Sequence, residues 1–558
     1  MRRLRFGLAL ASLFTAILLA PRGPATSAAQ SGIDWEPCGG RVECGTLAVP
    51  LDYANPGGRT IELSLIRIPA REPSERIGVL MANPGGPGAS AIEFTRIWVS
   101  LLSNDIRNRF DIVAFDPRGV GESSPIICHD RLQELVAFDP DPDDDGEWEV
   151  AKRVSRQFAE DCASKYGDIL PHLGTKNVAR DMDRIREVLG EDKLNYVGYS
   201  YGTSIGAVYA DMFPSRIRAM VLDGGTDLSL GYEETIRTQI IGFERAFAAY
   251  LDDCAATRCA IAREGDPRAL VNAIIAKAEE RPLPSSRADR PAGPGEVQLG
   301  IISALYSKLT WGALTTALEQ ASKGDGTGLV QLTDAYLQRE PNGDYPNLIE
   351  ANAAVNYVDG ECPKDPDAYR GLGEVVARDA PTFGRSASTS GLVCAYWPAM
   401  PDPVTTPRGP GAPPIVVIAT TNDPATPYEW GMALSEQLES GVLVTYRGEG
   451  HTIYAQGSSC IDSVVDAYLA GLAVPGPGTT CGNGPPPPEA GAAAATPPTE
   501  TSGTPVPGTT ATPPIAPSTG EANGDGESET FWYWVVGLGF FALALVFFAA
   551  GFILHGRR

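Results

Sequence analysis

Histidine is scarce in this chain, with four in 558 residues: His129, His172, His451 and His555. Chemistry that needs an imidazole therefore has few places to sit. Positive charge is also in deficit, with 45 lysines and arginines against 69 aspartates and glutamates and a net charge of −24. Nucleic-acid binding requires a basic face to neutralise phosphates, so that partner class is excluded, and the acidic surplus reads as a solvated surface. No C-x-x-C pair and no cluster of histidine and cysteine at ligand spacing occurs, so neither a metal nor another cofactor is expected. What the chain does have is apolar content of 43 %, enough for a large core, and a length that suggests more than one domain.

The two ends differ from the body. Met1-Arg2-Arg3-Leu4-Arg5 is basic, residues 6–20 are apolar, and Ser27-Ala28-Ala29 offers small residues for cleavage, so 1–29 reads as an export signal. Residues 531–554 form an uncharged apolar run, longer than the roughly 20 residues a bilayer crossing needs. Trp532, Tyr533 and Trp534 suit its interface. Glu527 and Glu529 precede it and Arg557-Arg558 follow, which places the tail 555–558 in the cytoplasm and the body outside the cell. Between body and anchor, 482–530 is mostly Pro, Thr, Ala and Gly, a composition that cannot bury a core and reads as an extended stalk. Ten cysteines in an exported chain suggest disulfides. Local pairs offer themselves: Cys38 with Cys44, Cys128 with Cys162, Cys254 with Cys259, Cys362 with Cys394, and Cys460 with Cys481.

The body is organised around residues 194–214. An apolar run leads into Gly198-Tyr199-Ser200-Tyr201-Gly202, helix-period residues follow, and Pro214 closes the helix. This is a nucleophile elbow, in which a serine at a tight strand-to-helix turn lifts its hydroxyl above a sheet. Gly198 and Gly202 permit the close approach. Extended runs at 46–51 and 60–68 flank Asn55-Pro56-Gly57-Gly58 and predict a hairpin. Short apolar strands at 77–81, 111–115 and 219–222 alternate with helical patterns such as 177–189, which predicts an α/β fold with a mostly parallel, doubly wound sheet. Strands become rare from 226 to 409, where helical runs at 232–251, 268–280 and 297–322 predict an inserted helical cap. The strand pattern resumes at 414–420 and 442–446. The expected organisation is thus a core of 30–225, a cap of 226–409 and core again over 410–481.

A serine hydroxyl attacks only when a base takes its proton and an acid holds that base. In a doubly wound hydrolase the order is Ser, acid, His. His129 and His172 precede Ser200, and His555 lies in the tail, so His451 in Gly448-Glu449-Gly450-His451-Thr452 is the base by elimination and position. Asp423, just beyond the strand at 414–420, is the favoured acid, and Asp223 at the end of the preceding strand is its rival. Oxyanion donors are expected from the Tyr201 amide and from Pro84-Gly85-Gly86-Pro87-Gly88, with Gly86 preferred because proline has no N–H.

Six motifs together resemble the tripeptidyl-aminopeptidase-like (TAP-like) branch of the α/β-hydrolases, secreted bacterial serine peptidases related to prolyl iminopeptidases. They are Asn-Pro-Gly-Gly-Pro-Gly at 83–88, Phe-Asp-Pro-Arg-Gly-Val-Gly-Glu-Ser at 115–123, Asn-Val-Ala-Arg-Asp at 177–181, Gly-Tyr-Ser-Tyr-Gly-Thr at 198–203, Asp-Pro-Ala-Thr-Pro-Tyr at 423–428 and Gly-Glu-Gly-His at 448–451. The resemblance implies an α/β-hydrolase fold, Ser200 as nucleophile, Asp423 as acid and His451 as base. It also implies that the segment from Asp423 onward is the family's C-terminal domain. The chain departs from the family at Tyr357, where a cysteine is usual, and at Pro84, where related iminopeptidases have His.

An exopeptidase acting on free N-termini needs a carboxylate for the substrate ammonium, whereas a carboxylesterase or lipase with the same triad needs only an apolar pocket. Asp359 and Glu361 are the candidate carboxylates, with Glu233 and Glu234 behind them. A catalytically dead display module is the third possibility, and the complete triad argues against it.

Overall fold

In the computed structural model, the described residues are 32–487, except 129, 264, 288, 289 and 399. The segments expected to be the export signal (1–29), the anchor (531–554), the tail (555–558) and nearly all of the stalk (482–530) lie outside them. No helix among the described residues is long and apolar enough to cross a membrane.

Ten strands make one sheet in the order β1-β2-β3-β5-β4-β6-β7-β8-β9-β10. The strands are β1 (Glu36–Pro37), β2 (Glu43–Pro50), β3 (Thr60–Ile68), β4 (Gly78–Asn83), β5 (Phe110–Phe115), β6 (Leu194–Tyr199), β7 (Ile217–Asp223), β8 (Ile415–Asn422), β9 (Gly441–Glu449) and β10 (Thr480–Cys481). β2 and β3 form the antiparallel hairpin, and β3 joins β5 antiparallel. From β5 through β4, β6, β7, β8 and β9 to β10 every pairing is parallel. Helices cover both faces, which is why the central strands read as unbroken apolar runs: every residue of β4 and β6 is buried. One face packs on the helices Thr175–Val188 and Tyr201–Met212, the other on Ala91–Leu101 and Ser459–Gly471. This is the doubly wound α/β-hydrolase arrangement with a helical insertion, between β7 and β8.

The insertion has a core of its own, in which Phe243, Phe247, Tyr250, Leu314 and Phe383 are buried together. Its helix Leu348–Asp359 instead turns Ala354, Val355 and Val358 into the core under the sheet. The helical run expected over 297–322 is two helices, Pro294–Leu305 and Trp311–Ser322, separated at 306–310. Side chains break it: Thr310 Oγ1 donates to Ala304 O (2.7 Å) and Ser307 Oγ accepts from Leu309 N (3.3 Å), competing with the helical ladder.

Two of the sequence motifs are scaffold. Arg118 and Asp181 form a bidentate ion pair at 2.7 Å for both bonds, with neither side chain exposed. The guanidinium also donates to the carbonyls of Pro50, Leu51 and His172, so all of its buried donors have acceptors. Asp116 accepts from Ser90 Oγ and from the amides of Ile92 and Glu122, tying the loop after β5 to the start of the helix Ala91–Leu101.

All ten cysteines are joined, as Cys38–Cys44, Cys128–Cys162, Cys254–Cys259, Cys362–Cys394 and Cys460–Cys481. The chain does not leave the sheet at Cys481. Gly484 N donates to Arg447 O (2.9 Å) and Arg447 Nε to Pro485 O (3.3 Å), so the first residues assigned to the stalk still lie along β9.

Candidate active site

Ser200 sits between β6 and the helix Tyr201–Met212 with φ 53° and ψ −124°, a backbone region that non-glycine residues avoid. The strain is held from several directions. Ser200 N donates to Asp223 O (2.9 Å), Thr203 Oγ1 donates to Ser200 O (2.6 Å), and Tyr196 Oη donates to Gly202 O (2.9 Å). A Cβ on Gly85 would stand 2.8 Å from Ser200 Cβ and 2.9 Å from Tyr201 N. The loop after β4 therefore lies directly on the elbow and tolerates no side chain there.

Within that loop Gly85 N is used by Asn83 Oδ1 (2.9 Å), while no hydrogen bond among the described residues engages the amides of Gly86 or Tyr201. The cap secures the loop's far end. Gly88 abuts the helix Leu348–Asp359, and Asn352 Nδ2 donates to Pro87 O (3.1 Å).

His451 follows β9, and its Nδ1 lies 2.9 Å from each carboxylate oxygen of Asp423. Asp423 is 3 % exposed, and its carboxylate also accepts from Ala425 N (2.9 Å), Thr426 N (2.8 Å) and Thr426 Oγ1 (3.1 Å). These donors fix the orientation of the carboxylate toward the imidazole. Burial opposes a charge on His451, but the adjacent Asp423 carboxylate, with Asp223 adding to it, outweighs burial and raises the imidazole pKa above its ordinary value. With Nδ1 facing Asp423, Nε2 is the nitrogen left to exchange a proton. Ser200 Oγ makes no hydrogen bond with the described residues.

Asp223, the rival acid, does not reach the imidazole. Its Oδ2 accepts from the amides of Ile453 (2.8 Å) and Tyr454 (2.7 Å) instead. From the cap, Tyr306 stands in the helix break. Its carbonyl accepts from His451 N (2.8 Å), and its ring meets the imidazole edge-on with centroids 5.5 Å apart. Phe243 and Tyr336 flank Tyr306 at 5.4 Å and 5.6 Å. Sequence reading missed Tyr306, whose only signal was the Ser307 and Thr310 hydroxyls interrupting an apolar helical pattern.

The four candidate acids for a substrate ammonium are scattered. Both Asp359 oxygens accept from Thr175, from its amide at 2.8 Å and its hydroxyl at 2.5 Å, so this carboxylate caps the N-terminus of the helix Thr175–Val188. Thr175 Oγ1 lies 2.5 Å from Tyr201 Oη, which links Asp359 to the elbow indirectly. Desolvation raises the Asp359 pKa to about 7. Glu361, Glu233 and Glu234 are exposed, and Glu234 pairs with Arg237 at 3.1 Å. The structure thus gives Asp359 a capping role and does not bring the other three to the elbow's partners described above.

A strained serine turn on a doubly wound sheet, beneath a cap and accompanied by a His–Asp pair whose acid is buried, has relatives. A family model described as TAP-like protein matches residues 380–481. The chain is 39 % identical over 479 residues to the Serine protease Hip1 of Mycobacterium tuberculosis, covering 80 % of this chain and 91 % of that protein. The chain belongs to the TAP-like α/β-hydrolases. The chain is also 34 % identical over 471 residues to the Tripeptidyl aminopeptidase of Streptomyces lividans, covering 80 % of this chain and 86 % of that one. The Carboxylesterase B of Mycobacterium tuberculosis is 36 % identical over 458 residues, with 79 % and 86 % covered. As a TAP-like protein with this fold, the chain is a serine hydrolase.

Proposed function

We propose that the protein is an extracellular, membrane-anchored serine exopeptidase that removes short peptides from free N-termini, with Ser200, His451 and Asp423 as its triad. The observation that carries the triad is the His451–Asp423 pair, which leaves Nε2 as the free nitrogen of the imidazole, together with the strained Ser200 turn. Ser200 Oγ attacks the scissile carbonyl as His451 Nε2 takes its proton, and Asp423 stabilises the imidazolium. The oxyanion is received by the amides of Tyr201 and Gly86, which have no other partner among the described residues. His451 then delivers the proton to the leaving amine, leaving an acyl-enzyme that water hydrolyses by the same steps. No cofactor enters the scheme.

Exopeptidase specificity is supported by the cap, residues 226–409, which contacts both the loop at Gly88 and the base at His451 and so limits how far substrate extends from the elbow. The relative named for tripeptidyl aminopeptidase activity supports it further. The export signal at 1–29, stalk and anchor belong to the same proposal. The relative named as a carboxylesterase favours a second reading, ester hydrolysis by the same triad. A panel of aminoacyl, dipeptidyl, tripeptidyl and fatty-acyl chromogenic substrates, each peptide also tested N-acetylated, separates the two. Blocking the amine of the best peptide is expected to lower kcat/KM at least about tenfold, or roughly 1.4 kcal/mol of transition-state binding. Equal cleavage of blocked and free peptides, with faster cleavage of acyl esters, would instead establish the esterase.

A further inference from the structure

Asp223 is a fully buried carboxylate that the scheme above does not use. It lies at the end of β7, beside Tyr199 of β6 in the sheet register, one residue before the nucleophile. Its two ends hold two different strained segments. The carbonyl accepts the Ser200 amide at 2.9 Å, at the elbow residue with φ 53°. The carboxylate Oδ2 accepts the amides of Ile453 and Tyr454 at 2.8 and 2.7 Å. Those amides belong to a loop in which Gly450, Thr452 and Ala455 have φ of 105°, 61° and 58°. Positive φ at Thr452 and Ala455 is strained, so the loop persists only where its surroundings over-determine it. Two charge-assisted bonds onto adjacent amides supply such a constraint. The neighbour Gly224 completes the contact, because a Cβ there would meet His451 Cε1 at 3.2 Å and Thr452 Cγ2 at 2.9 Å. Tyr199 Oη also donates to Tyr454 O (3.2 Å), a second tie between elbow strand and histidine loop.

Resting on the reading of Ser200 and His451 given above, we infer that Asp223 is a positioning residue that holds the nucleophile turn through its main chain and the histidine loop through its carboxylate, and whose charge favours the imidazolium formed during the reaction. Asp423 orients the imidazole itself, while Asp223 sets where the imidazole's loop stands relative to the serine. Asp223 Oδ1 is buried without a hydrogen-bond partner among the described residues, and burial raises the Asp223 pKa to about 6, so the carboxylate carries its charge above that pH, where a neutral His451 works as base. The groups facing this region can be enumerated. His451 is met by Asp423 and Thr426 from the segment after β8 and by Tyr306 from the cap, and it feels the charge of Asp223 on β7 without contact. Asp223 is met by Tyr199, His451 and Asp423, with Asp462 and Asp466 of the helix Ser459–Gly471 beyond Tyr199 and Tyr454. Both Asp223 and Asp423 raise the proton affinity of His451, so removing the first charge lowers it.

The test uses a fluorophosphonate probe, in which the serine oxygen bonds to phosphorus and fluoride leaves, so that the labelling rate reports the nucleophile and base without reference to any natural substrate. Asp223→Asn keeps the side-chain shape, and its carbonyl can accept both amides. The variant is expected to fold, as read by its thermal melt, and to be labelled at least about tenfold more slowly at its optimum. The acid-limb midpoint of its labelling profile is expected to fall by about half a pH unit or more. Wild-type rate and midpoint together would overturn the inference, as would a slower rate with an unmoved midpoint, which is what a merely structural brace would give. If the single Asp223→Asn change prevented folding, Asp223→Glu, which keeps the charge, should restore folding and the wild-type midpoint; a shifted midpoint in that variant would also overturn the inference. Labelling of Ser200→Ala at the wild-type rate would refute the nucleophile assignment instead, so the two failures are distinguishable.

Discussion

At the scale of single residues, the proton affinity of His451 follows from a contest between burial, which disfavours the imidazolium, and two carboxylates, which favour it and prevail. A histidine base must be neutral to accept the serine proton. Activity is therefore expected to fall as pH drops through a midpoint above the ordinary value of about 6.5. A kcat/KM profile that stayed flat through that region would remove His451 from the base role. Ser200→Ala and His451→Ala are each expected to lower kcat by about 10⁴-fold or more without loss of folding, since triad members act as a unit. Asp423→Asn should approach that loss, because an amide facing Nδ1 favours the wrong tautomer. An Asp223→Asn variant slower than Asp423→Asn would transfer the acid role. The tight turn at Ser200 and the pairing of His451 with Asp423 were legible in sequence, because each residue sits in a motif with a mechanical meaning and the chain has four histidines. The division of labour between the two aspartates was not legible. Asp223 ends one strand and Asp423 follows the next, and only the fold decides that Asp423 reaches the imidazole while Asp223 reaches two backbone amides.

Among the elements, strands and the elbow were read from apolar runs bounded by turn residues, and a mostly parallel sheet from their alternation with helical patterns. The cap was read only as helical. Its one informative interruption, at 306–310, falls where its chain must turn to present the Tyr306 carbonyl to His451, and local periodicity carries no sign of a partner some 145 residues away. The motifs at 115–123 and 177–181 show the converse, since they marked the family while their Arg118–Asp181 pair serves the scaffold. Asp359 illustrates a third case, a candidate substrate acid whose two oxygens tether a cap helix to the start of the helix Thr175–Val188. Its pKa is raised to about 7 by desolvation, so the folded state holds its proton where the unfolded chain has released it. That contribution to stability is complete below about pH 4 and is lost as pH rises to about 7. Asp359→Asn mimics the protonated form, so its Tm relative to wild type is expected to rise between pH 5 and pH 8. A difference that shrinks over the same interval would show that the ionised carboxylate is the stabilising form.

For the whole molecule, one sheet joins the segments on either side of the cap, and the last strand, β10, closes only at Thr480–Cys481. A chain ending at 487 keeps that strand and the bond from Gly484 to Arg447. It is expected to be soluble without detergent and to keep wild-type kcat/KM, whereas the full-length chain is expected in the membrane fraction. Recovery of full-length protein in the soluble fraction would refute the anchor, and an inactive chain ending at 487 would show that the stalk contributes to the body. The disulfides carry a further consequence for how such a molecule is made. Each cysteine is joined to the next one along the chain, with separations of 6, 34, 5, 32 and 21 residues, and no bond passes over another. An oxidant that simply joins thiols in their order along the chain reaches the native connectivity without reshuffling. Biogenesis of the body can then proceed without a disulfide isomerase, each loop being locked before the next cysteine pair arrives.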